Sequence, residues 1–138
     1  MGTLDKWLLS IILAFNRMIA RGISVQTLII MNDSPYGTER LYNSLRIAHA
    51  LLKRDDDVTV FLMGDAVAGA RTGQKTPDGF YNIERMIKRI AAKGEVLLCG
   101  ACMNARGLND DEIVQGAERS TMDALTEVIE EADKVLVF

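Results

Sequence analysis

The sequence is poor in the residues that most directly announce a function. Its two cysteines, Cys99 and Cys102, in 138 residues exclude a disulfide scaffold. With one histidine, His49, the chain falls short of the four ligands of a zinc site. No metal and no cofactor are expected unless subunits share a site. Lys and Arg number 16 against 19 Asp and Glu, a net charge of −3. A nucleic-acid binder's basic footprint is therefore missing from the sequence, and only a patch assembled in space would restore it. The apolar run from Trp7 to Phe15 is far shorter than the ~20 residues of a membrane span. Stable membrane insertion is not expected. A signal peptide is disfavoured too, because no small-residue cleavage site follows and Arg17 and Arg21 do. Free thiols make the cytoplasm the default compartment.

What is present suits one globular domain, since 49% of residues are hydrophobic. Residues 1–24 read as an N-terminal extension and 25–138 as the domain. Within the extension, Leu8, Ile11, Ile12, Phe15 and Ile19 fall on one helical stripe. The favoured reading is an amphipathic helix packed on the body or on another subunit. A membrane-surface helix, or a start codon placed upstream of a true start at Met18, are the alternatives.

The domain alternates apolar strands with helical stripes. Strands are expected at Val25–Asn32, Val58–Met63, Glu95–Cys99 and Lys134–Phe138, with a short extra one near Gly116–Arg119. Helices are expected from a cap at Thr38, over Tyr81–Lys93, and from a cap at Ser120 to about Glu131. A helical turn is expected near Ala66–Ala70, and Asn109 with Glu112 forms a capping-box pattern. Met86, Met103 and Met122 read as core or interface filling, and Asp55–Asp57 as a solvated loop. The fold class is α/β, a three-layer sandwich around a mostly parallel sheet of four or five strands. Ligands of such sheets gather beyond the carboxyl ends of the strands. Three segments leave those ends: NDSPYGT, GDAVAGARTGQK and CGACMNARG.

Cys99 ends a strand and Cys102 lies in the loop that follows. Thiol chemistry needs thiolate, which a cation favours, and Arg106 with the turn amides could supply that field. The C-x-x-C spacing also allows dithiol exchange, or an inert pair. A single nucleophilic cysteine is preferred, because Gly107 soon interrupts the segment and the only prolines, Pro35 and Pro77, do not precede a late strand. Ser34, Tyr36, Gly37 and Thr38 form a turn that could hold an anion at a helix start, or simply shape and cap it. Asp65 could orient a partner at the strand ends, though capping a turn is preferred. GARTGQKT has Gln74 where a phosphate loop needs glycine, so it reads as a flexible loop. His49, off the apolar stripe, reads as solvated.

Taken together and in order, MNDSPYGTERLYNSLRIAHAL, FLMGDAV, RTGQK with GFYNIERM, LLCGACMNARGL and ADKVLVF resemble the YchN-like branch of the DsrE/DsrF-like family. The resemblance spans about Leu28 to Phe138. It implies a flavodoxin-like domain, assembly into homotrimers or homohexamers, and kinship with sulfur-relay subunits of the TusD type. Those accept sulfur as a persulfide on one cysteine and pass it from a donor to a small carrier protein. The relay cysteine carries over to Cys99, and the following Arg-Gly pair to Arg106 and Gly107. Cys102 resembles the second cysteine of the YchN-like branch. Three functions are expected in order: sulfur relay or sulfurtransfer through Cys99, non-catalytic binding of a small anion or nucleotide, and a dithiol redox switch.

Overall fold

In this computed structural model, residues 3–20 and 24–138 are described; Arg21 lies outside them. Helix α1 (Thr3–Ala20) precedes β1 (Gln26–Met31), α2 (Arg40–Leu52), β2 (Asp57–Leu62) and a 3-10 segment, Gly64–Ala70. Then come α3 (Ile83–Ala91), β3 (Glu95–Cys99), α4 (Gly100–Ala105) and a 3-10 turn, Asp110–Glu112. The chain closes with β4 (Ala117–Ser120), α5 (Met122–Glu131) and β5 (Lys134–Val137).

The five strands form one sheet in the order β4-β3-β2-β1-β5, and every pairing is parallel. Parallel strands are buried on both faces, which is why LIIM and VFL lack the alternation of a half-exposed strand. Ile29, Met31, Val60, Leu62 and Leu98 point to one face, under Leu41, Leu45, Ile83 and Ile87 of α2 and α3. Leu28, Ile30, Phe61, Leu97 and Cys99 point to the other, under Leu125 of α5. Each such side chain contributes about 1.5–3 kcal/mol on burial, so the two clusters fix the sheet's register. A one-residue slip would turn every strand inside out.

Several boundaries differ from the sequence reading for physical reasons. The residue before α2 is Glu39, with no side-chain cap; Thr38, one residue earlier, accepts the Arg40 N–H at 3.3 Å and donates to Asp33 at 2.8 Å. Thr121 caps α5 by accepting from Ala124, because Ser120 is taken up in β4 opposite Cys99. Asp57 begins β2, so the acidic run is shorter than expected as a loop. The Asn109–Glu112 capping box is formed.

Helix α1 is regular, yet Asp5 to Ala20 are all exposed, the apolar stripe included. It meets the body near its end, where Arg17 pairs with Glu131 at 3.2 Å. The stripe is thus not buried on the body. Among the described residues no helix is long and apolar enough to cross a membrane.

Candidate functional site

Strand β3 delivers Cys99 to the carboxyl edge of the sheet, where the backbone turns at once into α4. The sequence reading made Cys102 a loop residue; it lies on that helix. Six residues beginning with glycine are too few for helical periodicity to show. Cys99 is the N-cap of α4, and its Sγ accepts the Cys102 N–H at 3.3 Å. The Ala101 N–H acts on the same sulfur. Cys99 is buried, Cys102 half-buried, and both are free thiols. Burial pushes the Cys99 thiol above its ordinary value, and the Cys102 side chain holds it up further. The backbone N–H groups pull the other way without prevailing.

The cation expected to lower that thiol is engaged elsewhere. Arg106 donates to Asp65 Oδ1 through Nε at 3.0 Å and through Nη2 at 2.7 Å. Its Nη1 donates to the Cys102 carbonyl at 3.1 Å. Asp65 is therefore an ion-pair partner of Arg106 and not a turn cap. The pair ties the end of α4 to the segment after β2. Gly107 has φ of +62° and closes α4: its N–H reaches the Asn104 carbonyl and that of Leu108 reaches the Met103 carbonyl. This double bond pattern, with apolar residues at both outer positions, is the Schellman motif, which favours glycine at this point.

The cation that shares a depression with Cys99 is Arg119, which lies 20 residues further along the chain. Its Nη1 donates to the Gly100 carbonyl at 3.1 Å and to Asn104 Oδ1 at 2.8 Å. Its Nε is held by Asp110 at 2.7 Å. An open depression of about 390 Å³ brings Cys99, Gly100, Ala101 and Asn104 together with Arg119, Ser120, Thr121 and Met122. Gly100 is closely packed here: a Cβ would lie 3.1 Å from the Ser120 carbonyl and 3.2 Å from Arg119 Cγ. Register pairs Leu98 with Arg119 and Cys99 with Ser120, which brings Arg119 to the turn after β3 and sets Ser120 on the face that Cys99 shares.

The three strand-end segments meet one another, but not all at the cysteine. Tyr36 donates to Gln74 and accepts from the Ile83 N–H at 3.1 Å. Gln74 Nε2 fills its own loop, donating to the Gly69 and Arg71 carbonyls at 2.8 Å. Ser34 Oγ packs against Gly37, where a Cβ could not fit without moving it. At the same turn Asp33 accepts from Thr38 and lies 3.8 Å from the Arg40 guanidinium. Ser34, Tyr36, Gly37 and Thr38 form a structural turn and do not line the Cys99 depression. Among the described residues no three His, Cys, Asp or Glu side chains gather as a metal site.

A parallel α/β sandwich with a free cysteine at the end of its third strand defines a class, and sequence comparison gives the family. The profile of the DsrE/DsrF-like family matches residues 26–138. The chain is 41% identical over 113 residues to Protein YchN of Escherichia coli K12, covering 80% of this chain and 96% of that one. It is 37% identical over 118 residues to the uncharacterized protein MK0008 of Methanopyrus kandleri, covering 85% and 96%. The crystal structure of E. coli YchN superposes with a TM-score of 0.79 at 39% identity, over 83% of this chain and 99% of that one. MTH1491 of Methanobacterium thermoautotrophicum, a protein of unknown function, shares the fold at TM-score 0.66 and 12% identity. The chain belongs to the DsrE/DsrF-like family and resembles its YchN members throughout the domain.

Proposed function

We propose that the protein is a sulfur-relay protein that carries sulfane sulfur as a persulfide on Cys99. The observation that carries this reading is the free Cys99 thiol at the end of β3, under the Ala101 and Cys102 N–H groups and in a depression that Arg119 also lines. The Cys99 thiolate attacks the outer sulfur of a donor persulfide. The donor's S–S bond breaks, its thiol leaves as thiolate, and the transferred sulfur then loses its proton to water. Nothing is oxidised overall. A carrier thiolate then repeats the attack on the outer sulfur of Cys99 and restores the free thiol. A persulfide is an anion at neutral pH, so the two N–H groups and the Arg119 guanidinium favour it. Arg106 acts as a positioning residue, holding the end of α4 through Asp65 and the Cys102 carbonyl.

The donor is a persulfide-bearing protein or polysulfide, and the acceptor a small carrier protein. Assembly is as a homotrimer or homohexamer in the cytoplasm, for which exposed Ile129, Val135 and Val137 offer apolar surface. A second reading, a dithiol redox switch, draws on the interaction between the two thiols. Inorganic polysulfide separates them by intact mass. Relay predicts one added sulfur atom, removed by a thiol reductant. A loss of two hydrogen atoms with no added sulfur would favour the switch and refute the relay.

A further inference from the structure

A second cavity, of about 450 Å³, lies between α2 and α3, on the face of the sheet away from Cys99. That volume falls within the range of about 300–1,000 Å³ typical of small-molecule sites. Its wall is organised lengthwise. Tyr42, Phe80 and Tyr81 stand near the starts of the two helices. Arg46, His49 and Lys53 follow down α2, and Arg85 and Arg89 down α3. From Tyr42 to Lys53 the helix advances roughly 16 Å.

No carboxylate is among the lining residues. Among the described residues Lys53, Arg85 and Arg89 have no ion-pair partner. Like charges three or four residues apart on a helix repel. Arg85 and Arg89 on α3 stand in that arrangement, and Arg46 and Lys53 face them from the α2 side, although the chain is acidic overall. Phe80 is 72% exposed, an unusual place for a bare aromatic ring. Tyr42 and Tyr81 are stacked on each other at 4.1 Å, and Arg46 covers Tyr42 at 5.3 Å. The open π face is thus that of Phe80. The Glu39 carboxylate lies beside the Tyr81 hydroxyl, which repels phosphate from the aromatic end.

We propose that the α2–α3 groove binds a nucleotide, with its base on Phe80 and its phosphates along Arg85, Arg89 and Lys53. A planar head joined to a polyanionic tail matches both ends of the groove in the right order. Arginine forks suit phosphate oxygens, and an aromatic face suits any base. An acidic peptide would use the cations but would leave Phe80 without a role.

The test is calorimetric titration of the full chain at low salt with adenosine triphosphate, inorganic tripolyphosphate and adenosine. The triphosphate is expected to bind, tripolyphosphate about tenfold more weakly, and adenosine not measurably. Arg85→Glu with Arg89→Glu should weaken the triphosphate by about 100-fold, as two charge-assisted bonds would. The exposed side chains make this pair safe for folding, and Arg85→Gln with Arg89→Gln is the milder control. Phe80→Ala should bring the triphosphate down to the affinity of tripolyphosphate. No triphosphate binding, equal affinity for tripolyphosphate, or unchanged binding by the double variant would each overturn the proposal. So would a groove that instead joins two copies of the chain, seen as a dimer that the double variant dissociates without any bound nucleotide.

Discussion

Arg119 donates from β4 to the carbonyl of Gly100 at 3.1 Å, fastening the edge strand to the turn that follows the cysteine. The same guanidinium is held by Asn104 and Asp110, so its position beside the depression is set by three acceptors. If the proposed persulfide forms on Cys99, Arg119→Ala is expected to slow polysulfide loading by about tenfold or more, as the loss of one charge-assisted contact would. Arg119→Lys should restore only part of the rate, because one ammonium cannot span three acceptors. Arg106→Ala should slow loading by no more than a few-fold. Stopped-flow loading of the three variants checks the order; a larger effect at Arg106 than at Arg119 would reverse the assignment.

The Cys99 thiol is raised by burial first and by the Cys102 side chain second. A raised acid stays protonated to higher pH, so the midpoint of Cys99 alkylation should lie above that of an ordinary free thiol. Cys102→Ala removes the second cause while its backbone N–H remains. The midpoint of the alkylation profile should therefore move down in that variant. An unmoved or higher midpoint would show that the two thiols do not act on one another.

Gly107→Ala places a side chain at φ of +62°, with nothing within 4 Å for it to strike. The cost is conformational, about 1 kcal/mol. Thermal unfolding should drop by a few degrees while polysulfide loading is retained. Loading that fails in a folded Gly107→Ala protein would mean that this glycine serves the ligand and not the helix end.

Glu84 is buried, which pushes its carboxyl up, yet the Lys88 ammonium and the Gln74 and Gly73 N–H groups outweigh that and hold it below the usual carboxylate range. Lys88 donates at 3.1 Å and the Gln74 N–H at 2.8 Å. With the folded value depressed, this stabilisation is present above the unfolded carboxylate range and lost as pH falls through the folded value. Glu84→Gln should lower the melting temperature at neutral pH and reduce its further fall in acid. Equal acid sensitivity in the variant and the parent would remove Glu84 from the account.

The sheet was legible because buried parallel strands are written as unbroken apolar runs; EVLLC was read residue for residue as β3. Residues that act through a partner distant in sequence were not. Asp65 lies 41 residues from Arg106, and nothing local to either one announces the pair. Arg119 sits on a four-residue strand of mostly polar composition, which has neither a period nor an apolar face to give it away. Gln74 looked like a failed phosphate-loop glycine, and only the fold shows it bonded within its own loop and to Tyr36. The Cys99 position was legible, but its field was not, because field direction depends on which cation the fold brings near.

The account turns on which cysteine bears the sulfur. The most direct measurement is peptide sequencing by mass spectrometry after polysulfide loading and alkylation, on the parent, Cys99→Ser and Cys102→Ser. The added sulfur should lie on Cys99 in the parent and in Cys102→Ser, and Cys99→Ser should gain none. Sulfur found on Cys102, or taken up by Cys99→Ser as fast as by the parent, would contradict the account.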